Sequence, residues 1–431
     1  MLDIDGDRLN ARLETFAAIG GTAKGGVNRQ ALTEGDRRAR RLLAELAWAR
    51  GFLVFQDSMA NLFIRRKGRD DTLAPVIIGS HLDSQPAGGR FDGALGTLSA
   101  FEVLESLEDA GIETARPVVV VSWTNEEGCR FAPGCMGSMA FSAGEIPAAW
   151  QGKAATDGAG FAEELALTIA SLPEAEMLPL GFPVHAYIEV HIEQGPSLEA
   201  NDIPIGVVKG IQGTRWLDVS VTGQTAHAGT TGLSYRRDPL RALTAALSGL
   251  YGAVMPADPD ARFTVGRISA EPGSVNAIPD KVHCTIDMRH PEPSRLDDIE
   301  RLVTSRIAED AMRHGCTTEI ARSFDMAPCV FSEALQRAIE QAVAARGVKS
   351  TVMLSGAFHD ALFVNRVAPA AMIFVPCRDG LSHNEAEYVE PAHAVIGCDV
   401  LAQATLAIAC ESENGRSWVN KTTVRKSLLQ I

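Results

Sequence analysis

The fold class is decided by residues 76–83, which read Val-Ile-Ile-Gly-Ser-His-Leu-Asp. A short β-branched run that ends at a glycine is typical of a strand buried on both faces of a parallel sheet. Similar apolar runs occupy 118–121, 187–190 and 372–375. Between the first two runs lies a helical stripe of apolar residues at 95–107. The order strand, helix, strand predicts an α/β domain.

The middle of the chain has a different pattern. In 217–221 and 282–288, apolar residues alternate with polar ones, which indicates antiparallel strands with one face in water. Helical patterns at 240–254 and 296–314 lie among these strands. Residues 212–328 are therefore predicted to form an inserted α+β domain.

The buried-strand pattern resumes after this insertion. The main domain is therefore predicted to be discontinuous, built from residues 1–211 and 329–431 around a mostly parallel sheet. With 431 residues, the chain is long enough for two hydrophobic cores.

Charge and composition exclude several kinds of partner. The chain has 54 acidic and 40 basic side chains, a formal charge of −14, which disfavours nucleic acid and anionic membrane surfaces as partners. The first residues lack the order of a secretory signal, and no apolar run approaches the roughly 20 residues that span a bilayer. The 8 cysteines are scattered, with no C-x-x-C pair. We expect reduced thiols in a cytoplasmic protein without a nucleic-acid or membrane partner.

Each predicted buried strand leads directly into residue types that bind metals. They are His81 after the first strand, a Glu-Glu pair at 126–127 after the second, His191 after the third and His383 after the fourth. Ligands of an open α/β sheet bind in the crevice at the carboxyl ends of its strands. Asp92 adds a carboxylate in the turn before the helical stripe.

Three imidazoles and two carboxylates suit a pair of zinc-like cations with one bridging carboxylate. Two such cations can hold a hydroxide and polarise a carbonyl together. A further carboxylate is then needed to take the proton of the water and pass it to the leaving nitrogen. The pair at 126–127 can supply one ligand and one base. Asp83 is placed to hydrogen-bond the other ring nitrogen of His81. A single His-x-Asp or Glu-Glu pair would more often be a surface feature. The joint set therefore carries the prediction.

The motifs at these strand ends also carry a family resemblance. They are Gly-Ser-His-Leu-Asp-Ser at 79–84, Gly-Gly-Arg-Phe-Asp-Gly-Ala-Leu-Gly at 88–96, Asn-Glu-Glu-Gly at 125–128 and His-Ile-Glu-Gln-Gly-Pro at 191–196. This set resembles the amidase branch of the M20 metallopeptidase family, which contains N-carbamoyl-L-amino acid hydrolases, allantoate amidohydrolases, ureidoglycolate amidohydrolases and β-ureidopropionases. The resemblance implies a di-metal catalytic domain with an inserted lid domain that also forms a homodimer.

The resemblance assigns a role to each matching residue of the predicted metal site. It implies two divalent cations per subunit. His81 and His191 would hold one, Glu127 and His383 the other, and Asp92 would lie between them. The cations would be Zn²⁺ or Mn²⁺, and such ligands also admit Co²⁺ and Ni²⁺. Glu126 would be the general base. The family also implies a cis peptide between Asp92 and Gly93.

In the predicted lid, residues 225–231 resemble the family's His-Ala-Gly-Thr-Thr segment. Its histidine, here His227, would be a catalytic residue that stabilises the oxyanion. Asn276 and Arg289 resemble the pair that binds the substrate carboxylate, and Gln194 would contact the ureido or carboxylate end of the substrate. An acidic protein that binds an anionic ureido acid needs a local cation, and Arg289 can hold a carboxylate with two hydrogen bonds.

One departure from the branch concerns the substrate. Phe358 stands where much of the branch has glycine. An aromatic residue at this position is similar to the ureidoglycolate-type sequences. An aromatic side chain there removes pocket volume, so a bulky, doubly ureido substrate such as allantoate is expected to fit less well.

These observations predict a metal-dependent amidohydrolase that cleaves a linear C–N amide bond of a ureido acid. The leading substrate is an N-carbamoyl-L-amino acid, which yields the L-amino acid, carbon dioxide and ammonia. Ureidoglycolate or allantoate is the alternative within the branch. An aminoacylase or peptidase on the same scaffold is a second alternative, against which the Asn276 and Arg289 pair argues. A catalytically inactive binding protein is a third, and it conflicts with the complete set of ligand types.

Overall fold

The computed structural model describes residues 2–410, and these form two compact units. Residues 2–210 and 331–410 make up the first unit, and residues 211–330 make up the second. All eight cysteines lie within the described part of the chain and are free thiols, as predicted.

The strands are β1 (Leu53–Gln56), β2 (Leu62–Arg66), β3 (Val76–His81), β4 (Val118–Trp123), β5 (Glu176–Met177), β6 (Ala186–Ile192), β7 (Ile205–Ile211), β8 (Gly213–Thr222), β9 (Ala226–His227), β10 (Arg262–Glu271), β11 (Ala277–Ile278), β12 (Lys281–His290), β13 (Thr317–Met326), β14 (Cys329–Val330), β15 (Ser350–Ser355) and β16 (Ala370–Val375). The α-helices are α1 (Gly6–Ala17), α2 (Glu34–Ala49), α3 (Ala94–Asp109), α4 (Met136–Ala143), α5 (Phe161–Ala170), α6 (Ser197–Ala200), α7 (Pro239–Ala253), α8 (Pro293–Arg313), α9 (Glu333–Arg346), α10 (Asp360–Val364) and α11 (Pro391–Ala409). Short 3₁₀ turns occupy Ala148–Trp150, Leu233–Tyr235 and Arg378–Gly380.

The first unit is built on one mixed sheet with the strand order β7-β16-β6-β3-β4-β2-β1-β5. Its central strands β16, β6, β3 and β4 are mutually parallel, whereas β7 and β2 flank them in the antiparallel direction. All residues of the four central strands are buried, because helices cover the sheet as they do in α/β proteins. The predicted α/β fold with a mostly parallel sheet is confirmed.

Helix α3 lies against β3 and α11. The predicted apolar stripe at 95–107 is part of its buried face, with Leu98, Phe101 and Leu104 fully inaccessible. Each such side chain stabilises the fold by about 1.5–3 kcal/mol relative to exposure. The start of α3 therefore stays fixed next to the turn that carries Asp92.

Helix α11 corrects one expectation from the sequence. Its 19 residues are long and apolar enough to cross a membrane by length and composition, and no other helix within residues 2–410 has this property. The statement that no apolar run approaches this length was therefore wrong. Most of α11 is buried in the core of the first unit, where a helix needs no polar face. A core helix passes the same test, so α11 is weak evidence for a membrane span.

The second unit contains an antiparallel sheet with the order β10-β12-β8-β13. Along β12, buried and partly exposed residues alternate at every position, as the period-two pattern predicted. Helices α7 and α8 pack on each other and on this sheet. A separate two-stranded ribbon pairs β9 with β11.

Candidate metal centre

The ends of β3 and β6 bring two histidines to one oxygen of Asp92. Nε2 of His191 lies 3.1 Å from Asp92 Oδ1, and Nε2 of His81 lies 3.7 Å from the same oxygen. The three side chains offer ligand atoms that all lie within 4.8 Å of one another. Two imidazole nitrogens and a carboxylate oxygen are a donor set typical of zinc and related cations.

The other oxygen of Asp92 faces a second group. His383 Nε2 lies 3.6 Å from Asp92 Oδ2 and 3.4 Å from Glu127 Oε2. Asp92, Glu127 and His383 again offer three ligand atoms within 4.8 Å of one another. Asp92 is therefore common to both groups and turns a different oxygen to each.

Glu126 lies beside the first group. Its Oε2 is 3.5 Å from His81 Nε2, and its Oε1 accepts a hydrogen bond from the Cys135 thiol at 3.5 Å. Burial, together with the charges of Asp360 and Glu127, raises the pKa of Glu126 well above its usual range. A carboxyl group with a raised pKa is suited to accept and hold a proton.

The charge balance of the site depends on Asp92. Burial alone would raise the pKa of Asp92, but its hydrogen bond to His191 and the charge of that ring hold the pKa well below its usual range. Burial lowers the pKa of His81 to about 4, so this imidazole is neutral at pH 7, the form that binds metals. Burial and the charge of Asp92 also raise the pKa of Glu127. A divalent cation among these groups would favour their ionised forms.

Backbone carbonyls orient both histidines. Nδ1 of His81 lies 2.9 Å from the carbonyl of Asp83, and Nδ1 of His191 lies 3.0 Å from the carbonyl of Ile192. This favours a hydrogen on each Nδ1 and leaves each Nε2 as the ligand atom. The Nε2 of His81 is buried and has no hydrogen-bond partner within residues 2–410.

The prediction that the Asp83 side chain hydrogen-bonds His81 is wrong, because the backbone carbonyl of Asp83 is the partner instead. Oδ1 of Asp83 is 3.7 Å from His81 Nδ1, beyond hydrogen-bond distance. The carboxylate instead accepts the backbone N–H groups of Glu126 and Glu127, each at 3.2 Å. Asp83 thus holds the loop that carries the Glu-Glu pair, while its carbonyl holds the histidine.

The cis peptide implied after Asp92 is also wrong. The cis bonds within residues 2–410 are Ala132–Pro133 and Glu271–Pro272. The chain turns at Gly93 by a positive φ of 63° instead, which glycine adopts without a steric penalty. A Cβ at this position would lie 2.3 Å from the ring of His81, so the turn and the histidine fit together only with glycine.

Three residues that contact this centre were not identified from the sequence. Gln85 donates its backbone N–H and its side-chain amide to Glu127, at 3.1 and 2.7 Å. Ser382 donates its hydroxyl to Asp92 Oδ2 at 2.9 Å. Glu387 accepts the backbone N–H of Asp92 at 3.0 Å. Their only signal in the sequence is that each lies within four residues of Asp83 or His383.

Of the predicted substrate-binding residues, Gln194 and Phe358 lie in the first unit. Gln194 donates its side-chain amide to Asp92 Oδ2 and to Ser382, both at 3.1 Å. Phe358 is half-buried in the loop between β15 and α10. It directly precedes His359, whose ring packs against the ring of His191 with the two centroids 4.5 Å apart.

His227, Asn276 and Arg289 lie in the second unit. His227 sits on β9, and its Nδ1 accepts the backbone N–H groups of Gly229 and Thr230 at 3.1 and 3.2 Å. An accepting Nδ1 leaves the hydrogen on Nε2 of this exposed ring. The carbonyl of Asn276 accepts the N–H of Ala228 at 2.9 Å, next to His227.

Arg289 stands near the end of β12. Its guanidinium donates to the carboxylate of Asp287, at 2.7 Å from Nη2 and 3.0 Å from Nε. Asp287 therefore orients the arginine side chain. Within the second unit, the structure thus brings together His227 and Asn276, and it pairs Arg289 with an acid on its own strand.

The fold and the site are those of an α/β protein with a candidate centre for two cations at the carboxyl ends of parallel strands. The model of the peptidase family M20/M25/M40 matches residues 77–407, and the chain belongs to this family. The predicted family resemblance is confirmed.

Named relatives narrow the comparison. The chain is 38% identical over 408 residues to an N-carbamoyl-L-amino-acid amidohydrolase of Rhizobium meliloti, covering 94% of this chain and 97% of that protein. It is 30% identical to a ureidoglycolate hydrolase of Oryza sativa subsp. japonica, covering 95% and 86% of the two chains. A crystal structure of an amidase of the hydantoinase/carbamoylase family from Burkholderia multivorans matches with a TM-score of 0.90 and 41% identity, covering 95% of this chain and 99% of that one.

Proposed function

We propose that this protein hydrolyses the carbamoyl C–N bond of N-carbamoyl-L-amino acids and releases the L-amino acid, carbon dioxide and ammonia. One observation carries the proposal: the two oxygens of Asp92 face two different ligand groups, and the mostly buried Glu126 lies beside one of them. The similarity to the Rhizobium meliloti amidohydrolase supports this choice of substrate class.

Five residues would hold two divalent cations: His81 and His191, Glu127 and His383, and Asp92 between the pairs. The cations would be Zn²⁺ or Mn²⁺, and these donors also admit Co²⁺ and Ni²⁺. The donor set fits such cations, because the buried Nε2 of His81 has no hydrogen-bond partner within residues 2–410. When bound, two such cations supply Lewis acidity toward a carbonyl oxygen and lower the pKa of a water.

Glu126 is the general base of the proposed reaction. Its mostly buried carboxyl group accepts the proton of the attacking water and passes it to the terminal nitrogen, which leaves as ammonia while the water oxygen stays on the carbonyl carbon. The N-carboxy amino acid that remains then loses carbon dioxide and gives the free amino acid. Cys135 orients this carboxyl through its thiol, and Asp83 holds the backbone behind it. The protein thus fixes the base from both sides.

The remaining predicted residues bind the substrate in this proposal. Arg289, oriented by Asp287, holds the substrate carboxylate together with Asn276. His227 donates from Nε2 to the oxyanion, because its Nδ1 is occupied by two backbone N–H groups. Gln194 contacts the ureido group, since its Oε1 is buried and has no hydrogen-bond partner in the described part of the chain.

The quaternary structure and the location of the protein belong to the same proposal. The second unit would serve as a lid and form a homodimer, and its exposed apolar side chains Leu233, Tyr235 and Val275 support such an interface. The eight free thiols support a reducing compartment, so we place the protein in the cytoplasm.

Ureidoglycolate is the second candidate substrate. The 30% identity with the rice ureidoglycolate hydrolase favours it. The side chain of Phe358 also favours it, because an aromatic ring beside the substrate would leave room only for a small one. Both substrates share a ureido group and a carboxylate, so the same residues would act on either.

A substrate panel tests the proposal. Ammonia release is measured with added Mn²⁺ from N-carbamoyl-L-amino acids, ureidoglycolate, allantoate and N-carbamoyl-β-alanine, and amino acid release from N-acetyl-L-amino acids. We expect the highest kcat/KM for an N-carbamoyl-L-amino acid. A higher value for ureidoglycolate would support the second candidate, and turnover of only the N-acetyl compounds would contradict both.

A further inference from the structure

Glu387 is a buried carboxyl group that the proposed reaction does not use. Its side chain reaches the turn before α3, where Oε1 accepts the backbone N–H groups of Phe91 and Asp92, each at 3.0 Å. Its own backbone N–H donates to the carbonyl of Asn384 at 3.0 Å. Glu387 therefore joins two segments that lie almost 300 residues apart in the chain.

The two segments fit each other around this side chain. A Cβ at Gly89 would lie 1.9 Å from Cδ of Glu387, so the turn leaves the space of a side chain for the carboxyl group. Beside it, the ring of Tyr388 packs edge-on against the ring of Phe91, with centroids 5.8 Å apart.

Each of the two segments carries one proposed ligand of the same cation. Asp92 belongs to the turn, and His383 lies four residues before Glu387. The side chain of His383 is 53% exposed, so few neighbours restrict it. The distance between Asp92 and His383 therefore depends on how firmly the two segments are joined.

We propose that Glu387 is a positioning residue for the cation site of Asp92, Glu127 and His383: it clamps the Asp92 turn to the His383 segment and so raises the affinity of this site. The inference rests on the proposed metal centre. The Oε1 atom of Glu387 accepts hydrogen bonds from two backbone N–H groups, so this side chain acts through the backbone of the turn.

The test measures metal binding without substrate. The full chain and its Glu387→Ala variant are dialysed against graded free Mn²⁺, and the metal bound per subunit is determined by mass spectrometry. Loss of a group that orients a ligand weakens metal affinity by about 10–100-fold, and we expect this loss for the more weakly bound cation. Glu385→Ala is the matched control, because this residue lies in the same segment and its carboxylate pairs with Lys24, at 3.5 Å, and with Thr22.

A double-mutant cycle separates clamping from general damage to the fold. Gly89→Ala places a methyl group where the Glu387 carboxyl lies, so it should weaken Mn²⁺ binding as Glu387→Ala does. In the Glu387→Ala background, the same change should add less than about a twofold loss, since its obstacle has been removed. Glu387→Gln retains an acceptor oxygen and should recover most of the affinity.

Two results would overturn the inference. One is wild-type affinity for both cations in folded Glu387→Ala, with folding checked by thermal unfolding. The other is an equal effect of Gly89→Ala with and without the Glu387 side chain. If Glu387→Ala does not fold, Gly89→Ala and Glu387→Gln decide the question in the same assay. If the wild-type chain binds two cations but releases no ammonia from any substrate of the panel, the proposed function is contradicted. The metal-binding comparison between wild type and Glu387→Ala still decides the role of Glu387 in that case.

Discussion

Asp92 and His191 are in direct contact, with Oδ1 of the carboxylate 3.1 Å from Nε2 of the imidazole. The opposite oxygen of Asp92 receives hydrogen bonds from Ser382 and Gln194 and faces His383. One side chain therefore touches nearly every part of the candidate centre.

Asp92→Asn should remove both cations. An amide has one acceptor oxygen and no charge, so it cannot serve two cations at once. His383→Ala removes a ligand from one group only and should leave one cation per subunit. Metal content by mass spectrometry, at a Mn²⁺ concentration that saturates the wild type, distinguishes the two variants. Two cations retained in Asp92→Asn would contradict the bridging role.

Arg289→Met should weaken substrate binding and leave the metal content unchanged. Loss of a hydrogen bond to a charged group costs about 1.5–3 kcal/mol, which corresponds to roughly a 10–100-fold fall in kcat/KM. The effect should appear mainly in KM. An N-alkylurea without a carboxylate is the control substrate. An equal loss for this compound would show that Arg289 does not recognise the carboxylate.

Phe358→Gly should shift the substrate preference toward larger ureides. Removal of the ring opens space, and we expect the ratio of kcat/KM for allantoate to that for an N-carbamoyl-L-amino acid to rise about 10-fold. Phe358→Leu retains most of the volume and is the matched control. An unchanged ratio in the glycine variant would place Phe358 outside the substrate pocket.

His185 should make the protein less stable as the pH falls. Burial and the nearby charge of Arg116 lower the pKa of His185 to about 4, below its usual value of 6.5. The unfolded chain therefore binds more protons between these two values, and stability present above pH 6.5 is lost as the pH falls toward 4. Thermal unfolding between pH 7 and pH 5 should show a smaller fall in Tm for His185→Gln than for the wild type. Parallel curves would contradict this assignment.

The sequence was sufficient to predict the fold class and the meeting of the ligands. His81 is the last residue of β3 and His191 is the second-last residue of β6. Because neighbouring parallel strands end at one edge of the sheet, the sequence pattern predicted both side chains in the same crevice. The alternation along β12 likewise identified a sheet with one wet face.

Contacts between distant segments could not be predicted in this way. Glu387 meets the Asp92 turn through backbone groups, which leave no trace in residue type. For Asp83, spacing alone suggested a bond from its carboxylate to His81, whereas the folded loop gives that role to its carbonyl. The sequence analysis did not identify α11 as a long apolar segment, because Asp399 interrupts its apolar sequence, although most of the helix is buried.

Glu126→Gln tests whether Glu126 is the general base. Ammonia release from an N-carbamoyl-L-amino acid is compared between this variant and the wild type at equal metal content, with Glu176→Gln, on an exposed strand, as the control. Because the amide cannot accept the proton, we expect turnover to fall by about 10²–10⁴-fold while two cations remain bound. Wild-type turnover in Glu126→Gln would contradict the account.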